Sequence, residues 1–121
     1  MDLETRQKLC QLVAGIIIAD DILDEREEKF LDRLIASFEI EGGRDAVFPL
    51  VDRDEAAAQI KQLPKDAQDE GMRLLIEAAC LDGQIAPEER EYLLAVAKTL
   101  EIPETQLAKR VAQQLGSTSP V

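Results

Sequence analysis

Displacing the chain by 62 positions lays it on itself. Asp20, Leu23, Glu27, Phe30 and Leu31 fall on Asp82, Ile85, Glu89, Tyr92 and Leu93, and Phe38-Glu39-Ile40 falls on Leu100-Glu101-Ile102. Each copy, near 9–40 and 71–102, reads as an apolar helix, a short acidic turn and a second amphipathic helix. Two such helix–turn–helix units pack most economically as a pseudo-twofold pair. Their apolar faces then meet centrally and the turns lie at element ends near solvent. The expectation is an all-α, compact bundle of about seven helices.

Local signals agree with this. Asp2 is suited to cap a first helix reaching about Ala19, with Leu9, Leu12, Val13, Ile16 and Ile17 on one face. Asp24 caps the second helix, and Glu27 three residues on completes a capping box. Glu41-Gly42-Gly43 breaks the chain, and 44–53 reads as a short helix or an irregular connector. Asp52 or Asp54 opens a small helix bearing Ala56, Ala57, Ile60 and Leu63, and Pro64 marks the next boundary. In the second copy, Gly83 suits a left-handed helix end and Pro87 the first position of the following helix. A last helix carries Leu107, Val111 and Leu115. No segment has strand periodicity. The expected organisation is one domain over 1–115 with a flexible tail at 116–121.

Composition narrows the function. A chain of 121 residues buries a working core without disulfides or structural metal. Aromatics make up only 3%, so the core is aliphatic and offers little surface for stacking bases or sugars. Fourteen basic against 25 acidic residues give a net charge of −11, the wrong sign for nucleic acid or an anionic membrane. Cations and basic protein patches are the partners that this charge favours. The absence of histidine removes the commonest general base and the usual transition-metal ligand. Together with the lack of a glycine-rich phosphate loop, it argues against an enzyme. Cys10 and Cys80 sit in apolar helical runs and read as buried thiols suited to a reducing cytosol. The apolar run Leu12–Ala19 is too short to span a bilayer and has acids close on both sides, so it reads as a buried helix.

The acidic turns are the candidate site. Asp82, Gly83, Ile85 and Glu89 match the spacing of the latter half of a calcium-binding helix–loop–helix: a bend, an apolar anchor and a coordinating acid on the next helix. Ala78 and Cys80 stand where the front ligands belong. The first copy departs further, with Asp21 replacing the glycine. Two turns brought together would pool Asp20, Asp24, Glu27, Asp82 and Glu89 around one divalent cation, relieving repulsion among the carboxylates. Structural capping is the competing explanation, because an acid in a helix's first turn complements the macrodipole without any metal.

The string LLIEAACLDGQIAPEEREYLLAVAKTLEIPETQL, 74–107, resembles the signature of the TerB-like tellurite-resistance family. That family includes the domain found beside the J domain in DjlA-type membrane-anchored co-chaperones. The shared pattern is an apolar helix ending in D-G-x-I-x-x-x-E, a leucine-rich helix, and a late I-P-E-x-x-L start. The resemblance implies an all-helical cytoplasmic domain with internal pseudo-symmetry and no catalysis. It also implies a role in metal-linked stress response or as an adaptor docking on other proteins. Its acidic cation-binding positions map onto Asp82 and Glu89 and, through the repeat, onto Asp20 and Glu27. The expectation is therefore a cation-responsive adaptor with a weakly held Ca²⁺, Mn²⁺ or Zn²⁺ and a basic or membrane-associated protein partner. The alternative is a metal-independent acidic scaffold that forms homodimers.

Overall fold

Three aspartates start three of the helices. Asp2 Oδ1 accepts the Thr5 amide at 2.8 Å, Asp24 Oδ1 the Glu27 amide at 2.9 Å, and Asp52 Oδ1 the Glu55 amide at 2.8 Å. Each satisfies an amide that the helix itself leaves without a partner. The computed structural model describes residues 2–19, 24–47, 51–81 and 83–118. Among them are six α-helices: α1 (Leu3–Ile17), α2 (Glu25–Ser37), α3 (Arg53–Lys61), α4 (Lys65–Ala79), α5 (Pro87–Thr99) and α6 (Glu104–Thr118). A 3-10 helix, Gly43–Val47, occupies the front of the segment 44–53 that reads in sequence as short helix or connector, and 48–50 lie outside the described residues. No strand forms among the described residues, and no described helix is long and apolar enough to cross a membrane. The protein is all-α.

The helix starts share the 62-position offset. Leu3 and Lys65 begin α1 and α4, Glu25 and Pro87 begin α2 and α5, and each pair stands 62 positions apart. Helices α2 and α5 also end alike. Glu39 and Glu101 adopt left-handed φ values of 55° and 59°. The next amides, of Ile40 and Ile102, reach back to Ile35 O at 3.0 Å and Ala97 O at 2.8 Å. This is a Schellman-type ending built on glutamate, where glycine is usual. Ile40 and Ile102 turn inward against the core, which holds the conformation.

The second half of α1, from Leu12 to Ile17, is buried on every side. Leu9, Cys10, Leu12, Ile16 and Ile17 have no solvent exposure. The helix packs chiefly on α4, while α3 packs chiefly on α5. Two glycines permit close approach: a methyl group at Gly71 would meet Leu9 and Ile60, and one at Gly15 would meet Tyr92 and the Val51 carbonyl. Helix α6 continues to Thr118, into the stretch expected to be a flexible tail. Arg44 clamps the 3-10 helix to α2 with a two-point bond to Asp32, both contacts 2.9 Å, and a third to Glu28. Asp32 is thus a tether as well as part of the solvated surface.

Burial carries a pH consequence. It pushes the Cys10 thiol up to about 11 and raises the Tyr92 phenol, which faces the added repulsion of Asp52 and Glu55. Both groups are held neutral in the folded state, so their contribution is complete below the unfolded thiol's ordinary 9.0. It is lost as pH climbs from there through the folded values. The thiol alone is expected to remove about 2–3 kcal/mol by pH 11. Urea melts at pH 8 and pH 10.5 check this, and Cys10→Ala is expected to flatten part of the alkaline loss.

Candidate functional site

The site assembles from helix ends. At the start of α2, Asp24 and Glu27 bond reciprocally: Asp24 Oδ1 takes the Glu27 amide, and the Asp24 amide donates to Glu27 Oε1 at 3.3 Å. At the start of α5, Ala86 occupies the position of Asp24 and has no oxygen to offer. Only the return half of the box remains there, the Ala86 amide donating to Glu89 Oε1 at 3.0 Å. Pro87 offsets part of that loss by presetting the first helical φ. Gly83 takes φ 83°, as its place after α4 requires, and Ile85 packs against the core.

Glu27 and Glu89 are only 5% and 3% exposed, unusual for carboxylates. Each is held at a helix N-terminus, where backbone amides and the macrodipole favour negative charge. The missing oxygen at position 86 makes a prediction. Ala86→Asp is expected to stabilise the fold by about 0.5–1 kcal/mol, and Asp24→Ala to cost about 1 kcal/mol, both read by denaturant titration.

The start of α2 meets the end of α4. Arg26, in the first turn of α2, donates from Nη1 to the Leu81 carbonyl at 3.4 Å, a long bond to the residue just before Asp82. Further along, the Tyr92 hydroxyl of α5 lies 3.2 Å from Leu12 O and 3.3 Å from Val51 O, tying α5 to α1. The Leu12 contact thus binds α5 back onto the first repeat, and the Arg26 contact binds the end of α4 to α2. Of the five predicted ligands, Asp24, Glu27 and Glu89 stand at helix starts as described. Asp20 and Asp82 lie outside the described residues.

The donor set bears on which ion would suit. Carboxylate oxygens without histidine match a hard cation such as Ca²⁺ or Mn²⁺ better than Zn²⁺, which prefers nitrogen and sulfur. Cys10 and Cys80 are buried in the core, Cys10 within α1 and Cys80 at the end of α4. Among the described residues no three acids or thiols form a group able to hold a metal ion. Asp24, Glu27 and Glu89 therefore fit capping by themselves, and a cation site requires Asp20 and Asp82 in addition. Sequence reasoning did not find Arg26, whose reach to Leu81 follows no short-range spacing.

No protein-family model, curated protein or solved structure matches the chain.

Proposed function

We propose that this chain is a non-catalytic, TerB-like helical adaptor of the cytoplasm, whose paired acidic turns respond to a divalent cation. In this reading residues 1–115 form one domain of two pseudo-symmetric helix–turn–helix units. Asp20, Asp24 and Glu27 from one turn and Asp82 and Glu89 from the other supply oxygens to Ca²⁺ or Mn²⁺, with Zn²⁺ the poorer fit. The bound ion draws the turns together and changes the surface offered to a protein partner. The observation that carries the reading is the Arg26–Leu81 contact, which joins the start of α2 to the chain entering the second acidic turn. The resemblance of 74–107 to the TerB-like signature supplies the family and its link to stress.

A second reading rests on the caps. Asp24, Glu27 and Glu89 each bond to a backbone amide, which explains their placement without an ion. The protein is then a metal-independent acidic scaffold, homodimeric or bound to a basic partner. Affinity capture from a cytoplasmic extract separates the two. Cation dependence predicts partners retained in Ca²⁺ or Mn²⁺, released by chelator, and absent with Asp82→Asn combined with Glu89→Gln. A scaffold predicts indifference to both changes and release by salt alone.

A further inference from the structure

The basic residues are not evenly satisfied. From Arg6 to Arg53 every described lysine and arginine side chain has a hydrogen bond or ion pair. Lys61, Arg90, Lys98, Lys109 and Arg110 have none among the described residues. Lys61, Arg90 and Lys98 are exposed, the first at the end of α3 and the other two on α5.

Lys61, Arg90 and Lys98 flank open grooves, of which the one between α5 and α6 is the most apolar. One, of about 440 Å³, runs between α5 and α6 over Ile85, Leu93, Leu94, Val111 and Leu115, with Arg90 on its wall. A second, of about 680 Å³, lies between α3 and α5 beside Lys61 and Lys98. A third, of about 420 Å³, joins Leu94 to Lys98 and Ile102. Leu94 borders all three, so they form one continuous surface along α5. Its walls carry Arg53, Lys61, Arg90 and Lys98 against Asp54, Glu91 and Glu104, a local charge of +1 where the whole chain has −11.

We infer that this α3–α5–α6 surface docks an acidic amphipathic helix of a partner protein. Arg90, Leu94 and Lys98 follow i, i+4, i+8 and form a single ridge on α5. The two cations stand about 12 Å apart along the axis with the apolar residue between them. A helix carrying acids about two turns apart, and a leucine-like residue between, matches both features. The grooves are open to solvent, which suits a helix laid on them better than an acyl chain needing enclosure. The surface lies on helices other than α2, and the inference stands whether or not the acidic turns bind a cation.

The test uses the full chain, isotopically labelled, and a synthetic amphipathic helix with glutamates two turns apart around a leucine. Amide shifts are expected along 57–61, 90–99 and 104–115, with affinity falling as salt rises. Arg90→Glu or Lys98→Glu is expected to weaken binding about tenfold, and Lys98→Gln, at an exposed position, about threefold. Unchanged spectra elsewhere establish that the variants remain folded. Equal binding of the same peptide with lysines in place of glutamates, or no shifts at millimolar peptide, overturns the inference. So does perturbation of the groove by dodecanoate but not by the peptide. Shifts that follow protein concentration alone would make a second copy the occupant and equally overturn it.

Discussion

Gly15→Ala is expected to destabilise the protein by about 2–4 kcal/mol, although alanine is the better helix former by about 1 kcal/mol. Gly15 sits in α1 where α5 and the segment before α3 press closest. A β-carbon there would lie 2.5 Å from the Tyr92 hydroxyl oxygen and 2.6 Å from the Val51 carbonyl oxygen. Neither neighbour yields cheaply. The hydroxyl is pinned between two carbonyls on a side chain only 3% exposed, and the carbonyl is backbone. The thermal midpoint is expected to fall by about 10 °C. Tyr92→Phe alone should cost about 1 kcal/mol through its hydrogen bond. Combined with Gly15→Ala it should recover part of the loss, because half the clash leaves with the hydroxyl. Gly71→Ala is the control. There the nearest atoms are the Leu9 and Ile60 methyl ends at 2.9 and 3.1 Å, which can rotate aside, so less than half the cost is expected.

Leu75→Ala is expected to cost about 3–5 kcal/mol, the range for emptying a leucine site in a rigid core. Leu75 has no solvent exposure and lies on α4, which packs against α1. Its counterpart in the first repeat, Val13, is 1% exposed, and Val13→Ala should cost less in proportion to the smaller void. Leu3→Ala, at a position 53% exposed, should change stability by no more than about 0.5 kcal/mol. A loss of the Leu75 size is a large share of the roughly 5–15 kcal/mol that holds a domain folded. Chemical denaturation of the three variants side by side checks the order.

Much of this fold was legible in the chain because its signals are local. Asp2, Asp24, Asp52 and Pro87 start helices by chemistry that acts within three residues, and each does so in the structure. Helical spacing of Leu, Ile and Val identified the buried faces for the same reason. The ends of α2 and α5 were harder. Glycine is the usual marker of a left-handed residue, whereas here Glu39 and Glu101 take that role and the following isoleucine enforces it. The only written trace was the repeated Phe-Glu-Ile and Leu-Glu-Ile. Tyr92 was visible as an apolar position on α5. Its bonds to Leu12 and Val51 span 80 and 41 residues, and no periodicity encodes them. For the candidate site, sequence located the buried glutamates Glu27 and Glu89 through their spacing. It gave no hint of Arg26 reaching Leu81, nor that the unpaired cations gather on α3, α5 and α6. Both depend on which helices become neighbours.

Glu27 and Glu89 join the two themes. As buried caps they stabilise helix starts, and in the proposed function they also supply oxygens to the cation. The caps hold with or without metal, so stability alone does not separate the roles. Titrating the labelled protein with Ca²⁺ and with Mn²⁺ does. Saturable changes confined to 20–28 and 82–90, rising together and abolished by Asp82→Asn with Glu89→Gln, are the predicted result. Spectra that stay still in both turns at millimolar metal would contradict it.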